Sequence, residues 1–241
     1  MQVVVTRARE QSSQLSDKLR AAGFEPVELP LIELVPPLDW TAADNAIAQI
    51  ETYDWILFTS ANAVRFLATR LDKPVTTAKV CCIGSSTKQV AEQYGWTVDL
   101  VPAEYVAESV VEAFANNIPK KLFLPRAAVA RDTVPEALKA IGTHVDVAEV
   151  YRNVIPADAA ANAQAVFAQK PAWIAFTSSS TVKNLMQVIE RDWLRNTKIA
   201  SIGPVTTETA RKHGLTVDAE ASPHTMDALV ESITRLVRGR Q

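Results

Sequence analysis

Short apolar runs alternate along the chain with stretches whose apolar positions recur every three or four residues. Residues 3–5 form the first run, and in residues 11–22 Leu15, Leu19 and Ala22 share one helical face. Gly23 stops that helix, and residues 26–34 read as the next strand. Further runs lie at 55–58, 80–83, 98–101, 122–124, 145–150, 173–176, 199–202 and 217–219. Most are followed by a helical pattern. Strand, helix, strand in this rhythm predicts parallel α/β sheets.

The pattern repeats itself. Asp54-Trp55-Ile56-Leu57-Phe58-Thr59-Ser60 reappears as Ala172-Trp173-Ile174-Ala175-Phe176-Thr177-Ser178, 118 positions later. Ile83-Gly84, Thr87, Gly95, Val98 and Asp99 recur as Ile202-Gly203, Thr206, Gly214, Val217 and Asp218, each 119 later, and Arg7 and Gly23 match Arg126 and Gly142 at that same offset. A near-constant offset marks a chain of the form A, B, A′, B′. A supplies two strands and B three, so together they make the five of a flavodoxin-like domain. Residues 33–38 and 151–156 are extended, proline-marked and equivalent, as two adjacent linkers would be. They favour a crossed pairing: two flavodoxin-like parallel-sheet domains joined by a two-stranded linker, one domain discontinuous. The split domain is expected at 1–35 plus 157–241 and the continuous one at 38–150, with linkers near 33–38 and 150–156.

Composition narrows the class. The 241 residues suit two modest domains, and 48% hydrophobic with 22% charged residues is globular rather than disordered. A net charge of −2 gives no global field for nucleic acid or an anionic membrane, so an anionic ligand must be held by local groups. No apolar run is long enough to span a membrane. The first residues lack a basic segment followed by a long apolar stretch, so the cytoplasm is expected. Cys81 and Cys82 are adjacent inside an apolar run and read as reduced core residues. His144, His213 and His224 have no metal-ligand spacing, and His213 is expected to cap a helix end. No phosphate loop, dinucleotide fingerprint or nucleophile elbow occurs.

In open parallel sheets, ligands gather beyond the carboxyl ends of the strands. Here those ends lead into short hydroxyl-bearing turns that open helices: Thr59-Ser60-Ala61-Asn62, Gly84-Ser85-Ser86-Thr87, Thr177-Ser178-Ser179-Ser180-Thr181 and Gly203-Pro204-Val205-Thr206. Such residues usually cap their own helices. Their number and common end raise the prospect of anion binding at helix N-termini. Arg131 and Asp132 read as a surface ion pair. Tyr151 begins the second linker, where a phenol could reach a cleft or serve as a half-buried strand residue.

The run over residues 3–33, with Thr6-Arg7, Gln11, Leu15, Leu19, Gly23 and Pro30-Leu31-Ile32-Glu33, resembles the uroporphyrinogen-III synthase family. So do Phe58-Thr59-Ser60-Ala61-Asn62-Ala63-Val64, Val150-Tyr151-Arg152, Phe176-Thr177-Ser178-Ser179-Ser180-Thr181-Val182 and Ile202-Gly203-Pro204-Val205-Thr206. The resemblance covers nearly the whole chain in order. It implies a monomer with a β-ladder linker and an interdomain cleft, acting on hydroxymethylbilane without metal or cofactor, with transient hand-over from hydroxymethylbilane synthase. It also implies roles: Tyr151 helping the hydroxyl leave, Thr206 holding substrate, and Ser60, Ser178 and Ser179 as further contacts. Gly84 and Gly203 belong to the same turns. The substrate's eight carboxylates make Arg7, Arg126, Arg131 and Lys198 expected binders beside the helix ends. Arg126-Ala127-Ala128-Val129-Ala130 stands where the family commonly has a glycine-containing turn. Two other classes fit the residues less well. A hinged, non-catalytic module for an anionic metabolite lacks an export signal or DNA-binding segment, and a phosphate-handling flavodoxin-like enzyme lacks its loop.

Overall fold

Ten strands and ten α-helices run along the described residues, mostly in alternation. Strand β1 (Gln2–Val5) leads to helix α1 (Arg9–Ala21), β2 (Glu25–Glu28) and β3 (Glu33–Val35). Next are α2 (Thr41–Ala48), β4 (Trp55–Phe58), α3 (Ala61–Ala68), β5 (Lys79–Cys82), α4 (Ser85–Gln93) and α5 (Ala107–Ala113). Strand β6 (Lys121–Ala127), α6 (Thr133–Ala140) and the long β7 (His144–Val154) come after them. Helix α7 (Ala159–Ala168), β8 (Trp173–Phe176), α8 (Ser179–Val188), β9 (Lys198–Ser201), α9 (Pro204–Lys212), β10 (Ala219–Glu220) and α10 (Met226–Arg238) complete the order. The computed structural model describes residues 1–71, 77–104, 106–115 and 117–239, and for 9–11 the backbone alone. The side chain of Gln11 thus lies outside the described residues.

The strands form two five-stranded sheets, ordered β10-β9-β8-β1-β2 and β3-β7-β6-β4-β5. The pairs of the first are parallel, as are the β5–β4, β4–β6 and β6–β7 pairs of the second. The parallel α/β class read from the sequence is therefore what the chain adopts. The chain divides into one unit of residues Met1–Glu33 with Val154–Gln241 and another of Leu34–Asn153.

The central strands of each sheet are buried on both faces, which is why β1, β4 and β8 are almost wholly apolar. In the first unit Val4, Ile174 and Phe176 meet Ala163, Val182 and Leu185 of α7 and α8. Val3, Val5 and Trp173 face Leu15, Leu19, Leu229 and Ile233 of α1 and α10. In the second unit Ile56, Phe58 and Cys82 pack with Val64 and Leu67, while Trp55, Leu57 and Cys81 pack with Phe114 and Leu138. Cys81 and Cys82 therefore point to opposite faces of β5, and both are free thiols.

Two strand expectations need correction. Residues 26–34 are not one strand: β2 ends at Glu28 in the first sheet and β3 belongs to the second. The peptide between them stays with the first unit, where Leu29 and Leu31 are buried and donate to the carbonyls of Val5 and Thr6; Pro30 has no N–H to continue a ladder. Residues 98–101 make only one bridge, Cys81 with Leu100. There the Asp99 carboxylate accepts the Val80 N–H at 2.8 Å, which removes a donor a further strand would use. Asp218 does the same to Ile199 at 2.8 Å in the first unit.

Candidate functional site

At the carboxyl ends of the second sheet the order β5-β4-β6-β7 lines up Gly84, Ser60, Arg126 and Tyr151. Gly84 precedes α4 with φ 89°, a left-handed conformation that glycine adopts without strain. Ser60 is the N-cap of α3: its Oγ accepts the Ala63 N–H at 3.1 Å. Tyr151 lies in β7, paired with Ala127 of β6, and its carbonyl accepts the Ala128 N–H at 2.9 Å. Its side chain is buried, with the ring stacked on Phe66 of α3 at 5.5 Å and 19°. The phenol oxygen is 3.2 Å from Ser60 Oγ, and either hydroxyl can donate.

Arg126, near the end of β6, is held by the loop that follows it. Its Nη2 lies 2.7 Å from Asp132 Oδ1 and its Nη1 donates to the Arg131 carbonyl at 3.2 Å. Asp132 therefore pairs with Arg126 and not with Arg131, because the loop after β6 turns back on the strand's last side chains. Arg131 is exposed, and among the described residues no carboxylate pairs with it.

The first unit presents an equivalent rim in the order β9-β8-β1. Ser178 caps α8 by accepting the Thr181 N–H at 3.3 Å, and Ser179 Oγ donates to the Val205 carbonyl at 3.1 Å, tying α8 to α9. Gly203 is the N-cap of α9. A Cβ there would stand 2.9 Å from Nδ1 of His224 and 3.0 Å from its Cγ, so a side chain at this position requires that ring or the start of α9 to shift. The ring is held where Nδ1 meets the Ala221 carbonyl at 3.0 Å. Thr206 is buried in the first turn of α9. Beside it Ser201 Oγ is 2.5 Å from Thr207 Oγ1, which also bonds the Glu220 carboxylate. Arg7 comes just after β1, with Nη1 3.9 Å from Met226 Sδ; burial lowers its pKa from the ordinary arginine value. It remains a cation at neutral pH.

Lys198 does not join either rim. It is the first residue of β9, at the amino end of the sheet, and its Nζ stands over the Trp173 ring at 5.2 Å. Three residue steps along β9 separate it from Ser201 at the carboxyl end, about 10 Å. Lys79, its counterpart at the repeat offset, stands over Trp55 at 5.6 Å. The expected helix-end role of Lys198 is thus corrected to packing. The chain's pattern gave no notice of Phe66 behind the phenol, and His224 was visible only as a histidine outside any metal spacing. His213 is the C-cap residue of α9, as its place beside Gly214 suggested.

Comparison with known proteins agrees with this architecture. A family model described as uroporphyrinogen-III synthase HemD matches residues 13–231. Uroporphyrinogen-III synthase of Synechococcus elongatus is 35% identical, over 98% of this chain and 95% of that one. The structure of uroporphyrinogen-III synthetase from Helicobacter pylori superposes with a TM-score of 0.66 at 18% identity, covering 100% of this chain and 99% of that one. A variant of uroporphyrinogen III synthase from Thermus thermophilus gives 0.62 at 17% identity, with 99% of both chains covered. The structural likeness carries the fold, and the sequence match carries the kinship. The chain belongs to the uroporphyrinogen-III synthase family.

Proposed function

We propose that this chain closes hydroxymethylbilane with inversion of its last pyrrole ring, and that Tyr151 donates a hydrogen bond to the departing hydroxyl. Its family makes it a cyclising lyase of tetrapyrrole biosynthesis acting on a small-molecule tetrapyrrole, which retires the non-catalytic and phosphate-handling readings. The terminal hydroxyl leaves as water and the substituted pyrrole carbon attacks the azafulvene so formed. The spiro intermediate then fragments and recloses with that ring turned over. The bilane also closes unaided without inversion, so the protein's contribution is positioning and fixed dipoles more than reactivity.

The observation that carries the reading is the setting of the phenol. A tyrosine clamped on Phe66, with its oxygen 3.2 Å from Ser60 Oγ at a strand's carboxyl end, is a donor of fixed direction. Arg7, Arg126 and Arg131 are the cations we assign to substrate carboxylates, and Thr206, Ser178, Ser179, Gly84 and Gly203 the turns and helix starts that assist them. Arg126 must exchange Asp132 for a substrate carboxylate, a swap between like groups. Among the described residues no helix is long and apolar enough to cross a membrane, and no group of three or more His, Cys, Asp or Glu side chains could hold a metal ion. From the family resemblance, and not from these absences, we propose a cytoplasmic monomer that works without metal or cofactor and receives the bilane from hydroxymethylbilane synthase by transient hand-over.

The test is Tyr151→Phe, which keeps the ring and removes the donor. General-acid assistance is worth roughly 10²–10⁴-fold, and an electron-rich pyrrole already expels hydroxide readily. Turnover should fall several-fold to about a hundredfold while the product remains type III, because the rest of the site orients the ring. Wild-type turnover in the folded variant would remove Tyr151 from the mechanism. Type I product would make it an orienting residue instead.

A further inference from the structure

We propose that Ser60 is a positioning residue for Tyr151, relaying the N-terminal polarity of α3 into the phenol rather than touching substrate itself. The proposal rests on the reading of Tyr151 as the donor. A serine hydroxyl has one proton and two lone pairs. Ser60 Oγ already accepts the Ala63 N–H at 3.1 Å. Its own proton has Tyr151 Oη as the acceptor within reach, at 3.2 Å. With the bond in that direction the phenol's proton is left over for the leaving hydroxyl. The order is then Ala63 N–H to Ser60 Oγ, Ser60 O–H to Tyr151 Oη, and Tyr151 O–H to substrate. Each bond polarises the next, and the chain starts at the positive end of a helix. As negative charge grows on the phenol oxygen, Ser60 and the start of α3 face it. The helix also holds the ring, since Phe66 is on α3.

The repeat provides an internal control. Ser178 caps α8 as Ser60 caps α3, yet the position equivalent to Tyr151 in the first unit is Ile32. The position equivalent to Phe66 is Asn184, whose Nδ2 donates to the Leu31 carbonyl at 2.7 Å. Both helices therefore pin the segment beside them, one by a side-chain bond to the Leu31 carbonyl and the other by stacking on a phenol. Capping explains the serine in both units; the bond to a phenol exists in the second alone among the described residues. Relay and cap are separable functions of one hydroxyl.

The experiment measures kcat, KM and thermal midpoint for Ser60→Ala, Ser60→Thr, Ser60→Asp, Tyr151→Phe and Ser60→Ala/Tyr151→Phe, with Thr225→Ala as a control that removes only the cap of α10. Ser60→Ala should lower kcat roughly three- to tenfold with KM nearly unchanged, and Ser60→Thr should restore it. Ser60→Asp retains a capping oxygen and so folds, but its carboxylate cannot donate to the phenol; kcat should fall there too. In the Tyr151→Phe background Ser60→Ala should have no further effect on kcat. Thr225→Ala should lower the midpoint without changing kcat. Wild-type kcat in Ser60→Ala or Ser60→Asp, or an undiminished Ser60→Ala effect in the Phe background, overturns the relay while the reading of Tyr151 stands. Wild-type turnover in Tyr151→Phe sinks both.

Discussion

Gly203→Ala offers a sharp test of how the first rim is built. The backbone at Gly203 is extended, at φ 167° and ψ 178°, so alanine incurs no conformational strain there. The obstacle is one ring. The new Cβ would lie 2.9 Å from His224 Nδ1, 3.0 Å from Cγ and 3.5 Å from Cβ, well inside ordinary contact. Because Cγ lies at the base of the imidazole, rotation about the ring's own axis relieves little, and the ring or the start of α9 must move. Overpacking of this kind costs about 1–3 kcal/mol. For a chain of this length each kcal/mol lowers the midpoint by roughly 2–4 °C, so a loss between about 2 and 12 °C is expected. Differential scanning calorimetry reads it directly. His224→Ala alone removes the bond to the Ala221 carbonyl and should cost about 0.5–1.5 kcal/mol. Combined with Gly203→Ala it removes the obstacle, so the double variant should be no less stable than His224→Ala. A coupling of at least about 1 kcal/mol is the signature of contact. Additive losses, or a Gly203→Ala midpoint equal to wild type, would refute the argument.

Two further outcomes are expected from burial and strand position. Burial pushes both thiols up to about 12, Cys81 with help from the Cys82 charge, and Cys82 from Glu92 against the opposing Lys88. An unfolded thiol ionises near 8.5, so from about pH 9 the unfolded chain binds fewer protons than the native one and stability falls as pH rises. Iodoacetamide at pH 8.5 should spare both cysteines in the native protein and label both in urea; fast native labelling would contradict this. Lys198→Ala should lower stability by about 0.5–1 kcal/mol through the lost cation–π contact with Trp173, yet leave KM within about twofold. A large rise in KM would return Lys198 to the binding surface.

The signals that could be read from the residue order were local. The two copies of a strand, a Thr-Ser turn and a helix at 55–68 and 173–188 were legible because periodicity and N-caps act within a dozen residues. The parallel α/β class came from the same signals. Pro30 was legible as a residue but not as the point where one run splits between two sheets, since an apolar run does not say which sheet each half will join. Residues 98–101 have the composition of a strand, yet they make one bridge, beside a carboxylate at Asp99 that takes the Val80 N–H. At the site, Tyr151 was placed by resemblance, whereas Phe66 and the Ser60 bond come from α3 being set beside β7. Partners between separate elements leave no mark in the order of residues. Lys198 shows the cost of ignoring direction: a residue beside the right strand stands at the wrong end of it.

Asp99 and Asp218 also bear on how the sheet borders are protected. Open N–H groups at a sheet's border recruit strands from other molecules. At Val80, on the outermost full strand of one sheet, and at Ile199, beyond the reach of the two-residue β10 in the other, that donor is already taken by a carboxylate. An incoming strand would have to break a charge-assisted bond and lay its carbonyls against an exposed anion. The two aspartates are separated by the repeat offset of 119, so the guard travels with the repeat. A repeat of this kind therefore carries the protection of one border N–H along with the strand it guards, in each of the two sheets.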